Sequence, residues 1–216
     1  MGMRKSYIDF IENHAANIIG DLKGKSMLEL GDQVLKNMKG ITSLKTGKEY
    51  FSNKGMEHIS IDLNGKRGSL KLNLSKPIIN PNWINYFDII TNLGTTEHIE
   101  PQSSQYICFR TLHNFLKPKG IIIHVLPDIE SMDICNFNTK HSNNYYKSSF
   151  FDMLTCNNKV YELIEIQRKG FNFLVCMKKI SDNTFMEDIE LFNSHLIRRE
   201  GGTIWKGIND EMSNNA

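Results

Sequence analysis

No apolar run in the sequence approaches the ~20 residues that span a bilayer, so nothing in it asks for a membrane. Its first twenty residues are interrupted by Asp9, Glu12 and His14, which does not read as a secretory leader. Cysteine is scarce. The four, Cys108, Cys135, Cys156 and Cys176, include no CxxC pair, so a zinc knuckle is not expected. That usage suits a reduced, cytoplasmic protein. An excess of one charge is missing as well. The net charge is only +2 and the lysines and arginines are scattered, which removes the usual electrostatic reason for a nucleic-acid partner. Internal repeats and low-complexity blocks are also absent.

What remains is ordinary globular material, 40% hydrophobic and 23% charged over 216 residues, long enough for one sizeable core. Ile8, Ile11, Ala15, Ile18, Ile19 and Leu22 recur at helical spacing and predict a helix over residues 7–22. Residues 26–30 form a short apolar run stopped by Gly31, which predicts a buried strand and a tight turn. A helical stretch over 34–53 is expected next, interrupted near Gly40 and Gly47. Strands follow over 58–62, 69–74 and 87–91. The stripe Tyr106, Phe109, Leu112, His113 and Leu116 predicts a helix over 102–116, ended by Lys117-Pro118-Lys119-Gly120. A fifth strand is expected over 120–126, stopped by Pro127.

The polar stretch 128–147 is too long for a simple connection and reads as a functional loop. Beyond it a helix over 149–156, two strands over 160–166 and 171–178 joined by a hairpin-like turn, and a polar helical tail over 187–199 complete the chain. Strands alternating with helices imply an α/β, Rossmann-like three-layer sandwich. Its seven-stranded sheet is expected to be mostly parallel, with an antiparallel strand from the C-terminal hairpin. Residues 1–24 are expected to pack as a helix on the domain formed by 25–180, with 181–216 as the tail.

Open parallel sheets bind ligands outside the carboxyl ends of their strands. The unusual residues gather at such ends. Glu29 and Gly31 close the first strand, Asp62 the second, Asn73 the third and Asn92 the fourth, with Glu97 and His98 just beyond. His124 and Pro127 close the fifth.

These motifs, in this order, resemble the class I S-adenosylmethionine (SAM)-dependent methyltransferases, in their small-molecule branch. The likeness covers residues 26–127, about half the chain. LELG at 28–31 is similar to the family's first motif, SIDL at 60–63 to the acidic end of its second strand, and FDIITNLGTTEHI at 87–99 to its fourth-strand motif. LKPKGIIIHVLP at 116–127 resembles the family's LKPGG turn and fifth strand. The resemblance implies SAM as cofactor. It assigns the ribose hydroxyls to Asp62 with Leu63 beside it, the adenine edge to Asn73 and Leu74, and the methionine and sulfonium side to Asn92 and Leu93. Glu29 would orient the methionine ammonium, and Gly31 would let backbone approach closely.

The pattern departs from the family at one place. Where a GxGxG run is usual, this chain has Gly31-Asp32-Gln33-Val34. Asp32 either pairs with the ammonium or sulfonium or marks a site that has lost its cofactor, and Gln33 carries a side chain where backbone usually packs. Candidate bases are His98, His124 and His141, since a histidine can take a proton from a hydroxyl or amine near neutral pH. The bland alternatives stand beside them. Asp62 would start a turn before Leu63-Asn64-Gly65, Glu97 would be a first-turn acid, His98 a structural histidine and His124 a satisfied core histidine. His141, with Tyr145 and Tyr146, would be a solvated loop. Glu97, His98, His124 and Asp128 carry metal-ligating atoms, but their spacing matches no metal motif and no metal is assigned.

The first functional expectation is a SAM-dependent methyltransferase acting on a small acceptor, a hydroxyl or amine of a sugar or metabolite. The rivals are a non-catalytic module that has lost SAM and serves binding or assembly, and an RNA-modifying or capping enzyme, which predicts a clustered basic face. A base-flipping enzyme is disfavoured, because Thr91-Asn92-Leu93-Gly94 stands where an Asn/Asp-Pro-Pro-Tyr motif would be.

Overall fold

The computed structural model describes residues 2–38, 40–131, 142–157 and 159–198. In chain order its elements are β1 (Met3–Arg4), α1 (Lys5–Ile18), β2 (Ser26–Leu30), β3 (Leu35–Lys36), α2 (Gly47–Asn53), β4 (Glu57–Asp62), β5 (Leu70–Lys71), β6 (Phe87–Leu93) and α3 (Ser104–Phe115). They continue with β7 (Leu116–Pro127), β8 (Asn144–Tyr146), α4 (Ser148–Asp152), β9 (Tyr161–Lys169), β10 (Asn172–Lys179), α5 (Ile189–Ser194) and β11 (Leu196–Arg198).

The apolar stripe of α1 buries Tyr7, Ile8, Phe10, Ile11 and Ala15. These pack with Met27, Ile89, Ile121, Ile123 and Leu174 on one face of the sheet. Full burial of Ile8 or Ile11 is worth about 2 kcal/mol each. The helix stops where Gly20 takes a φ of +88° and its N–H reaches back to the Ala15 carbonyl at 2.9 Å. On the opposite face Tyr106, Phe109, Leu112 and Phe115 of α3 pack with Leu28, Leu30, Ile90 and Ile122. Period-two alternation along β7 thus feeds both layers.

The central sheet has seven strands in the order β5-β4-β2-β6-β7-β10-β9. Pairings among β5, β4, β2, β6 and β7 are parallel, while β10 runs antiparallel to both β7 and β9. The antiparallel strand is therefore not at the rim. It is inserted between β7 and β9, so the edge strand β9 runs parallel to the main set. The order reverses between β2 and β6, which opens a crevice above the carboxyl ends of β2, β4 and β6.

Several elements differ from expectation. The helix predicted over 34–53 is reduced to α2, because Leu35 and Lys36 pair with β1 instead. The helix begins late, at a capping box in which Thr46 and Glu49 satisfy each other's backbone N–H groups. The third strand is cut to Leu70–Lys71, because Asn73 folds the chain into a turn by accepting the N–H and hydroxyl of Ser75 at 2.9 and 2.7 Å. Among the described residues of the tail α5 is the one helix, and β11 returns to pair antiparallel with β8. Phe185, Phe192 and Leu196 bury themselves in the α3 core. Among the described residues no helix is long and apolar enough to cross a membrane.

Candidate cofactor and acceptor site

A cleft of about 330 Å³ lies over the carboxyl ends of β2, β4 and β6. Of the residues singled out in the sequence, Gly31, Asp32, Gln33, Asp62, Leu63, Asn73, Leu74 and His98 line it. Glu29, Asn92, Leu93, Glu97 and His124 do not, and His141 falls outside the described residues.

At the β4 end, Asp62 accepts the backbone N–H of Asp32 on Oδ2 and that of Asn64 on Oδ1, both at 2.8 Å. The second bond is the turn-initiating contact of an Asx residue. The first ties the loop after β2 to the end of β4. A carboxylate oxygen has two lone pairs, so each oxygen keeps one direction for a ligand hydroxyl. Asn73 stands farther along the same wall, its Oδ1 engaged by Ser75. Asp32 lines the cleft with a counter-ion already beside it. Its carboxylate, 5% exposed, is paired with the guanidinium of Arg67.

At the β2 and β6 ends the replaced glycine run is filled by a side chain. Gln33 is buried, and its Nε2 donates to the carbonyls of Leu30 and Leu93 at 3.3 and 3.0 Å. Thr95 adds a hydroxyl bond to the Leu30 carbonyl at 2.8 Å. Gly31, at a φ of +83°, leaves the room for both. A Cβ there would stand 2.6 Å from Thr95 Oγ1 and 2.7 Å from Gln33 Nε2.

Glu29 points beneath the loop, not into the cleft. Its Oε1 accepts the Gln33 N–H at 3.2 Å, and its Oε2 lies 3.6 Å from His58 Nε2. Burial pushes its carboxyl up from the ordinary range. Gly47 is required against it, since a Cβ there would sit 2.2 Å from Oε2.

Beyond β6, the turn Thr96–His98 carries the remaining candidates. Asn92 is fully buried and holds this turn. Its Nδ2 donates to Thr96 Oγ1 at 2.8 Å, and its Oδ1 accepts the Thr96 N–H at 3.2 Å. The same Nδ2 meets His124 Nδ1 at 3.1 Å. An amide nitrogen can only donate, so Nδ1 is the acceptor and the ring proton sits on Nε2.

His124 therefore corrects its expectation as a candidate base. Its position in β7 turns it under α3, where it stacks on Phe109 at 5.4 Å, and burial lowers its pKa to about 3. It is neutral and its one acceptor is occupied, so it is no base for a ligand. His98 is the described candidate base that reaches the cleft, with its Nε2 3.7 Å from Glu97 Oε1.

Glu97 is wholly buried, and burial raises its carboxyl to about 7. Apart from the His98 ring at 3.7 Å, no side-chain partner among the described residues comes close enough to hydrogen-bond either oxygen. Its backbone carbonyl accepts from the Asn143 N–H at 3.1 Å and from Asn144 Nδ2 at 3.3 Å, which ties the end of the long loop over the turn. Tyr146 braces the same turn, its hydroxyl 2.9 Å from Thr96 Oγ1. Tyr145 and Tyr146 are thus buried supports and not solvated loop. Asp128 is taken by Arg168, and no group of three or more His, Cys, Asp or Glu converges among the described residues.

Arg67 and Thr95 were not legible as site residues. Thr95 had a signal in its place two residues after the fourth strand. Arg67 had none, because the turn that brings it back to Asp32 is decided by the backbone.

Comparison with known proteins places the architecture. A SAM-dependent methyltransferase from Clostridium acetobutylicum superposes with a TM-score of 0.54, at 13% identity, over 82% of this chain and 92% of that one. The N-methyltransferase NodS from Bradyrhizobium japonicum, in complex with S-adenosylhomocysteine (SAH), superposes at 0.51, with 11% identity, over 82% and 89%. The 1,6-didemethyltoxoflavin-N1-methyltransferase from Burkholderia thailandensis, with that compound and SAH bound, superposes at 0.50, with 14% identity, over 82% of each chain. The chain has a class I methyltransferase fold. No protein-family model and no curated protein sequence matches it. The methyltransferase fold puts the cleft at the switch in strand order, where ligands enter such sheets.

Proposed function

We propose that this chain is a SAM-dependent methyltransferase acting on a small-molecule acceptor, a hydroxyl or amine of a sugar or metabolite, in a reduced cytoplasmic setting. The observation that carries the reading is the run of Asp62, Gly31, Gln33 and His98 along one cleft at the switch in strand order. The Bradyrhizobium and Burkholderia enzymes of the same fold hold SAH, and the latter also holds 1,6-didemethyltoxoflavin.

The residues present fit the cofactor. Asp62 offers ribose hydroxyls the free lone pairs of its two oxygens. Asn73 and Leu74, farther along the cleft wall, are the residues we assign to the adenine edge, and Gln33 Oε1 is a buried acceptor without a donor among the described residues. When bound, SAM supplies an electrophilic methyl group. The chain's own contribution is then position and dryness. The turn Thr96–His98, pinned by Asn92 and Tyr146, holds the acceptor side rigid. His98 takes the acceptor's proton on a ring nitrogen.

Isothermal titration with SAM and with SAH tests the reading directly. Saturable binding of both is expected. No binding of either at millimolar concentration would sink it and leave the non-catalytic module standing.

A further inference from the structure

We infer that Gln33 Oε1 is the acceptor for the α-ammonium of the cofactor's amino-acid tail, in place of the missing glycine-loop contacts. The inference rests on the cofactor reading above. Gln33 is 3% exposed yet lines the cleft. Its backbone N–H is spent on Glu29, and its side-chain nitrogen is spent on two carbonyls, Leu30 and Leu93. Carbonyl oxygens cannot donate, so the amide has one allowed orientation, with nitrogen toward the strand ends and oxygen away from them. No donor among the described residues reaches that oxygen. An amide oxygen that is buried, held in a fixed direction and left without a donor, on a residue that lines the cleft, calls for a donor that a ligand can bring.

Geometry selects which N–H. Leu30 and Leu93 end adjacent strands, while Asp62 ends β4 on the other side of β2. With its diol on Asp62, the ribose would have to carry its 5′ substituent across the end of β2 for the tail to meet Gly31 and Gln33, the neighbouring lining residues on that side. On that substituent the carboxylate and the sulfonium donate nothing, and only the ammonium does. Asp32, the other candidate partner for the cation, is neutralised by Arg67. Gly31 is bare on the side Gln33 occupies, because a Cβ would stand 2.7 Å from Nε2. The first glycine is thus kept so that the second position can carry a side chain.

The test compares ligands with and without the ammonium. SAM and 5′-methylthioadenosine, which has the nucleoside but no amino-acid tail, are titrated calorimetrically into wild type, Gln33→Met and Gln33→Gly. Loss of one hydrogen bond to a charged group predicts SAM binding about tenfold or more weaker in both variants. Methylthioadenosine should change by less than about twofold, which also reports that the variants are folded. In wild type alone, SAH should bind about tenfold more tightly than its desamino analogue. Equal losses for SAM and methylthioadenosine would overturn the inference, as would equal binding of SAH and desamino-SAH. Tighter SAM binding by Gln33→Gly would also overturn it, because Gln33 would then be a plug. Wild type that binds methylthioadenosine and SAM equally well refutes the role of Gln33 alone, whereas wild type that binds neither refutes the cofactor reading with it.

Discussion

Replacing Glu97 by glutamine isolates the cost of one buried carboxyl. In the folded chain burial raises this group from an ordinary 4.5 to about 7. One unit of pKa corresponds to about 1.4 kcal/mol, so ionised Glu97 costs the folded state about 3 kcal/mol relative to the unfolded one. The sign follows from proton binding. Between the two values the folded chain holds a proton that the unfolded chain has released, so stability falls as pH rises from about 4.5 and levels off above about 7. Glutamine is neutral throughout and lacks this slope. The stability of Glu97→Gln relative to wild type should therefore grow by about 3 kcal/mol between pH 4.5 and 8. The amide's own fit adds an offset independent of pH. Urea unfolding followed by circular dichroism at four pH values reads the difference. His113 and His124, whose burial lowers them to about 4 and about 3, pull stability the other way as pH falls below 6.5. They are common to both proteins and cancel. A difference that stays constant across this pH range would refute the reasoning, because Glu97 would then be solvated or paired when folded.

Three further outcomes are expected. Nuclear magnetic resonance of ring-labelled histidine should show His124 neutral from pH 8 down to 5, with its proton on Nε2; a signal titrating near 6.5 would place it in contact with water. Gly47→Ala should lower stability by roughly 1–3 kcal/mol in urea unfolding, because the new methyl meets Glu29 Oε2 and Met3. Unchanged stability would mean that Glu29 lies elsewhere. Asp62→Ala should weaken SAM binding about 100-fold by calorimetry, through two lost charge-assisted hydrogen bonds and a loosened Asp32 loop. Wild-type affinity in that variant would remove Asp62 from the ribose.

The layers of this protein were legible because both signals that make them are local. The 3.6-residue stripe of Ile8, Ile11 and Ala15 declares one buried face, and the unbroken run Ile121-Ile122-Ile123 declares a strand covered on both faces, each within a few residues. The acidic end at Asp62 and the Glu97-His98 turn were visible as polar interruptions at strand ends. Strand trimming was not. Asn73 could continue a strand or close an Asx turn, and its contact with Ser75 chose the second. The same holds for residues 34–46, where pairing of Leu35 with Met3 competes with helix and wins.

The sequence by itself determined the α/β alternation, the order of the polar strand ends and the departure from the glycine pattern at Asp32 and Gln33. Tertiary structure alone decided what those residues do. His124 and His98 look equivalent as letters, yet alternation within β7 turns His124 under α3, while His98 lies in the turn beyond β6 and opens on the cleft. Asp32 looks like a ligand for a cation until Arg67, thirty-five residues away, neutralises it. Gln33 looks like damage until two strand-end carbonyls orient its amide. Side-chain function here depends on what comes through space to meet each group, and that partner is not written beside it in the chain.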